Sequence, residues 1–252
     1  MTQLAVERIK LFSTRSPLWC TLLALALSIG FAALIASTTD GDSVPLSMTQ
    51  IGYQFGLMVT MVMAALAVTT EYRFGTIRAT FQATPNRTKV LLAKAALVGS
   101  LGFVIGELAA FGSLAVTKLI APGSDLALSE SHEWRQVVGV GLVFLVGSVL
   151  ALAVGVLLRQ TAGAVAVLLL WPLLVESMTP LIPSIGEDLG KWMPFGAADH
   201  FLTGGSPAGA QPPGMGAPAD MPFGPWAALA YFAAIGFGLL AFAIIVANRR
   251  DA

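Results

Sequence analysis

The chain has 252 residues, of which 56% are hydrophobic and 11% charged, with zero formal net charge and a mean hydropathy of +0.79. So little charge cannot cover the surface of a water-soluble domain of this length, and a neutral chain sets up no global field to attract nucleic acid or acidic substrates. The single cysteine, Cys20, excludes an internal disulfide and a multi-cysteine metal site.

Six apolar runs of roughly 20 residues follow one another, each long enough to cross a bilayer. They cover 17–37, 51–70, 90–120, 137–158, 162–182 and 226–247. Hydrocarbon cannot satisfy open backbone groups, so each is expected to be a helix. The expected fold class is an all-α membrane protein, a single domain of six transmembrane helices over 1–252. The first run is longer than a signal-peptide core and has no small-x-small pattern near Ala36. Before it, Leu4–Ser13 mixes Leu4, Val6, Ile9, Leu11 and Phe12 with Glu7, Arg8 and Lys10. That stretch reads either as a short amphipathic helix in the inner interface or as a tail whose charges set topology.

Between the second and third runs lies Glu71-Tyr72-Arg73-Phe74-Gly75-Thr76-Ile77-Arg78-Ala79-Thr80-Phe81-Gln82-Ala83-Thr84-Pro85-Asn86-Arg87. At about 100° per residue Phe74, Ile77 and Phe81 form one stripe, with Tyr72, Thr76, Ala79 and Thr80 opposite. Thr84-Pro85-Asn86 ends the helix, because proline disfavours helix at the residue before it. The expectation is a short helix with one anchoring face and one presented face. Lys89 and Lys94 mark re-entry into the membrane.

Further on, Trp171-Pro172 predicts a kink in the fifth run. The proline- and glycine-rich segment 180–225 cannot be regular helix throughout. Within it, 185–192 and 197–202 are expected as short outer-surface helices and 204–223 as a loop.

Orientation follows from the basic residues. With the N-terminus inside, eleven of the fourteen lysines and arginines are cytoplasmic, and only Lys118, Arg135 and Lys191 fall outside. This is the positive-inside pattern, with both termini cytoplasmic. Trp134, Trp192 and Trp226 near outer span ends, and Trp19 near an inner one, sit where interfacial anchors belong.

Glu71-Tyr72-Arg73, then Gly75-Thr76-Ile77-Arg78, then Thr84-Pro85 with Arg87 and Lys94, resembles the cytoplasmic coupling segment of ABC exporter permeases of the type-two class, most of all the small actinobacterial members. Trp192-Met193-Pro194-Phe195-Gly196-Ala197-Ala198 is similar to the outer segment these permeases carry before the last span. The resemblance covers essentially the whole chain. It implies a half-transporter in a bacterial plasma membrane that pairs with a second permease chain, identical or paralogous. A separate ABC ATPase subunit docks on the segment after the second span, and outer helices between the fifth and sixth spans are re-entrant. Carried onto this sequence, the ATPase-coupling residues are Glu71, Gly75, Thr76, Arg78 and Arg87. The chain itself has no G-x-x-x-x-G-K-[ST] loop, so ATP hydrolysis falls to the partner. It is not expected to be an enzyme, and no cofactor, metal or nucleic acid is expected. Membrane lipids are the remaining partners. The rival class is an accessory or scaffolding membrane protein without its own transport path. An intramembrane enzyme lacks the convergent polar residues it needs.

Four residues are candidates for a translocation path: Glu107, Met58, Met61 and Glu176. Glu107 lies 13 residues beyond Lys94 and 11 before Lys118, which at about 1.5 Å per residue places it near mid-membrane. It reads either as a cation-attracting or proton-accepting group or as a protonated carboxyl bonded inside the bundle. Met58 and Met61, with Met63, read as an adaptable apolar wall or as ordinary packing. Glu176 reads as an outer gate or as a plain interfacial acid. Gly52-x-x-x-Gly56 and Gly102-x-x-x-Gly106 permit close helix packing.

Overall fold

In a chain with so few charges the backbone groups have to bond to one another, and helices do this within a single segment. A computed structural model describes residues 3–39, 44–204 and 221–249. It is 83% helical, with no strand among the described residues. The helices are α1 (Gln3–Phe12), α2 (Ser16–Thr38), α3 (Leu46–Thr49), α4 (Tyr53–Arg73), α5 (Thr76–Ala83), α6 (Arg87–Ile120), α7 (Ser131–Leu158), α8 (Thr161–Leu170), α9 (Gly186–Gly190), α10 (Pro194–Thr203) and α11 (Pro225–Arg249).

Among the described residues five segments are long and apolar enough to cross a membrane: Ser16–Thr38, Leu46–Arg73, Arg87–Ile120, Ser131–Leu158 and Pro225–Arg249. The run expected at 162–182 is shorter. It is helical over Thr161–Glu176, of which Trp171–Glu176 is a π-helical turn, and a separate 3-10 turn follows at Thr179–Leu181. Pro172 has no N–H to give to an α-helical ladder, and the wider turn accommodates it where a kink was expected.

α7 is the centre of the bundle, with 78% of its apolar window buried, against 17% for α2 and 22% for α11. Small residues bring the helices together. Gly52, just before α4, and Gly56 within it lie against α2, and Gly102 and Gly106 of α6 lie against α7. A Cβ on Gly106 would stand 2.8 Å from Gly141 Cα and 2.9 Å from the Phe144 ring, so only glycine allows this crossing. Phe144, Phe201, Phe232, Met61, Leu91 and Leu152 fill the core.

Hydrogen bonds fix which helix ends share a side. At one end Arg87 donates to Ala247 O at 2.7 Å, Asn248 to Thr88 at 3.0 Å and Thr161 to Thr69 at 3.1 Å. At the other, Val44 N–H donates to Ser124 at 2.9 Å, Tyr53 to Asp199 at 3.0 Å, and Arg135 to Gly204 O. The first end collects Arg15, Arg73, Arg78, Arg87, Lys89, Arg159 and Arg249 and is the basic end.

The segment after the 3-10 turn differs from a surface loop. α9 and α10 form near the expected places, but α10 is drawn into the bundle, with Ala197, Ala198, Phe201 and Leu202 buried. Its apolar side packs on α7 and α11. The expected loop 204–223 falls mostly on residues outside the described ones.

Candidate functional site

The site grows from a single backbone reversal at the basic end. α4 stops at Arg73, and Phe74 closes it by donating N–H to Thr70 O at 2.9 Å. Gly75 then adopts φ +71°, a conformation that costs a side-chain-bearing residue about 1 kcal/mol or more. α5 starts at Thr76 in a new phase and ends where Thr84 turns extended before Pro85. Asn86 caps α6 by accepting the Lys89 N–H at 3.0 Å.

This reversal corrects the expected stripe. Only Ile77 and Phe81 are buried, against Val90 with Tyr72 packed beside them, while Phe74 is 72% exposed. Tyr72, expected on the opposite side, belongs to the buried one. A continuous helix would have put Phe74 in line with Ile77, and the left-handed glycine between them removes that alignment. The exposed side of the segment carries Arg73, Phe74, Gly75, Thr76, Arg78, Ala79 and Gln82.

Under α5 lies a buried charge network. Lys94 of α6 has 4% of its side chain exposed and Glu7 of α1 has 1%. Lys94 Nζ donates to Glu7 Oε2 at 2.5 Å, to Glu71 Oε1 at 2.8 Å and to Ala67 O at 3.2 Å. Lys10 Nζ donates to Glu7 Oε1 at 3.0 Å and to Thr80 Oγ1 at 2.9 Å, and stands 3.6 Å from Glu71 Oε1. Gln3 adds a bond from α1 to Thr84 at 2.9 Å. Two carboxylates and two ammonium groups thus join α1, α4, α5 and α6. In such a site the pairs offset the cost of removing the charges from water only when all partners are present. Through the Lys10–Thr80 bond the network ties α5 to α1, and through Glu7 and Lys10 to the two long helices that flank it.

Beside the network lies a cavity of about 480 Å³, within the ~300–1,000 Å³ typical of small-molecule sites. Its polar end is the network. Its apolar walls are Leu11, Pro17, Met63, Leu66, Leu97 and Val98.

The expected site residues are thus distributed unevenly. Gly75, Thr76 and Arg78 are exposed together on the α5 segment. Glu71 turns inward to Lys94. Arg87 also turns inward, bonding to Ala247 O and lying 5.2 Å from the Phe81 ring centre. The path candidates are not brought together. Met61 is fully buried in the core, and Met58 is partly buried beside it. Glu107 packs on Gly141, and its Oε1 has no hydrogen-bond partner. Glu176 accepts the N–H groups of Phe195 at 3.1 Å and Gly196 at 2.9 Å, and the Trp171 Nε1–H at 3.0 Å. It therefore caps the start of α10 from outside that helix.

Sequence reasoning missed Glu7, Lys10 and Lys94 as one unit. The available signal was Lys94 itself, a lysine within an apolar run, which requires a buried partner. Among the described residues, no three His, Cys, Asp or Glu side chains group as a metal site. The chain matches no family model and no curated protein sequence.

Proposed function

We propose that the chain is the membrane-spanning subunit of an ATP-driven exporter, with six spans, both termini cytoplasmic, and α5 as the joint to a separate ATPase subunit. The observation that carries this reading is the construction of α5. It is a short helix between two membrane-length helices, anchored by Ile77 and Phe81, clamped below by the Glu7–Lys94–Glu71–Lys10 network, and open to solvent through Arg73, Thr76 and Arg78. A helix held this firmly on one side and left free on the other can pass a partner's movement to the spans.

The concentration of arginine and lysine at the same end supports its placement in the cytoplasm of a bacterial plasma membrane. Thr161–Glu176, extended by the turns after it, serves as the fifth of the six spans. The wide turn at Pro172 and the inserted α10 then form the outer re-entrant element. A second permease chain completes the path. An accessory protein without a path would not need a clamped helix.

Arg78→Glu tests this reading. Ile77 and Phe81 remain buried and the other cytoplasmic cations remain, so insertion and fold are expected to survive. A carboxylate replacing an exposed donor at the contact is expected to abolish co-purification with the ATPase and export together. An R78E chain that binds the ATPase and stimulates it like the parent contradicts the assignment.

A further inference from the structure

We propose that the outward face of α1 is a contact surface for anionic phospholipid, in the leaflet that the basic end of the bundle meets. Gln3 bonds to Thr84 and Lys10 to Thr80, so α1 runs beside α5 in the opposite direction. α5 joins two membrane-length helices at the basic end. α1 therefore lies at the level of the membrane surface and not among the spans.

At that level its amphipathic character is inverted. At about 100° per residue Gln3, Glu7, Lys10 and Leu11 share one side, and that side meets the protein. Glu7 and Leu11 are buried, and Gln3, Glu7 and Lys10 bond to α5 and α6. Leu4, Arg8, Ile9 and Phe12 lie on the other side, and the three apolar ones are at least half exposed. A helix between a protein core and water turns its polar side outward. An apolar side turned outward fits the boundary between head groups and acyl chains, into which such helices sink by about 5–10 Å. Leu18 and Trp19, both exposed at the start of α2, continue the same surface.

The charges on this face select the head group. Arg8 stands one turn from Leu4 and one turn from Phe12, and Arg15 follows the helix; both are exposed. Neither forms an ion pair among the described residues. Glu7 is the only acid from Gln3 to Trp19, and it is buried against Lys94. The outward face thus carries two guanidinium groups and no carboxylate. Arginine set in an apolar face extends its stem to reach the head groups, where it pairs with phosphate through two parallel hydrogen bonds. A soluble anion would leave Leu4, Ile9 and Phe12 in water, whereas a lipid covers them and the charges together. Near a membrane surface each arginine favours anionic lipid by about fivefold. The proposal rests on the chain's place in a membrane and not on the transport reading.

The test uses the whole chain with Cys20→Ser and a bimane dye on Phe12→Cys. The protein is placed in nanodiscs of phosphatidylcholine and phosphatidylglycerol in equal amounts, with bromine on the acyl chains of one lipid or the other. Bromine quenches the dye on contact, so the two quenching yields report the lipid beside α1. Phosphatidylglycerol is expected to be enriched by at least about fivefold. Arg8→Gln and Arg15→Gln are each expected to lower the enrichment by roughly threefold to fivefold, and together to bring the two lipids to parity. Both side chains are exposed, so folding is expected to survive. The same dye at Leu108→Cys, on the exposed side of α6, is expected to be quenched equally by both lipids. Equal quenching at position 12 of the parent, or an enrichment that the double variant keeps, overturns the proposal. Quenching by neither lipid also overturns it, because water, a second copy or another protein then covers the face.

Discussion

The two ends of the bundle bury carboxylates in different ways. At the basic end Glu7 and Glu71 share the Lys94 ammonium from another helix, and Lys10 adds an ion pair to Glu7 within α1. At the opposite end Glu176 is held by two backbone N–H groups and an indole. The first arrangement ties four helices together through side chains that must all be present. The second fixes the entry of one short helix, and two of its three donors are backbone N–H groups that remain whatever the side chains do. Glu107, between the two ends, has neither kind of partner at Oε1. The difference teaches that burial alone does not give a carboxylate its role. The number of elements its partners come from decides how much structure depends on it.

The largest expected effect comes from breaking the network. Lys94→Met leaves Glu7 and Glu71 without their shared cation, and losing one partner of a buried ion pair costs about 3–5 kcal/mol. Thermal unfolding of the purified protein in detergent should show a large fall, and Glu7→Gln in the same chain should recover part of it. Independent, additive losses would mean that the network is not a unit.

A smaller loss is expected at the opposite end. Glu176→Gln keeps one acceptor but turns an amide donor toward a second backbone donor, a change comparable to losing a helix cap, about 1 kcal/mol. The effect should be local. Hydrogen exchange should quicken at Phe195 and Gly196 and stay unchanged in α1 and α5. The smallest effect is expected at Glu107. Glu107→Gln keeps the shape and removes no visible bond, so stability should change by less than about 0.5 kcal/mol. A large destabilisation there would reveal a structural partner and narrow the difference between Glu107 and the other three carboxylates.

Much of this fold was legible in the sequence, for a physical reason. The bilayer-length runs at 17–37, 51–70, 90–120, 137–158 and 226–247 each correspond to a long apolar helix, because hydrophobic length is a strong and local signal. The glycine pairs were also used as their spacing allowed. The run at 162–182 was harder, since Pro172 ends its α-helix early and hydropathy does not register a change of helix type. Phe74 was misplaced because helical phase does not carry across a left-handed residue, and Gly75 gives little notice of its φ before the structure is known. α10 was expected on the surface, and the burial of Phe201 and Leu202 against α7 depends on tertiary packing that no local pattern encodes. The charge network was the least visible feature. Glu7, Lys10, Glu71 and Lys94 are scattered over 88 positions, and charges near the ends of apolar runs are ordinarily accounted for by topology.

The central claim is that the free side of α5 meets an ATPase while its buried side does not. Photo-crosslinking amino acids placed singly at Ala79, which is exposed, and at Phe81, which is 8% exposed, test it directly in intact cells. The account predicts an ATPase adduct from position 79 and, from position 81, only crosslinks within the chain. Adducts of equal yield from both positions, or none to any ATPase from position 79, would contradict it.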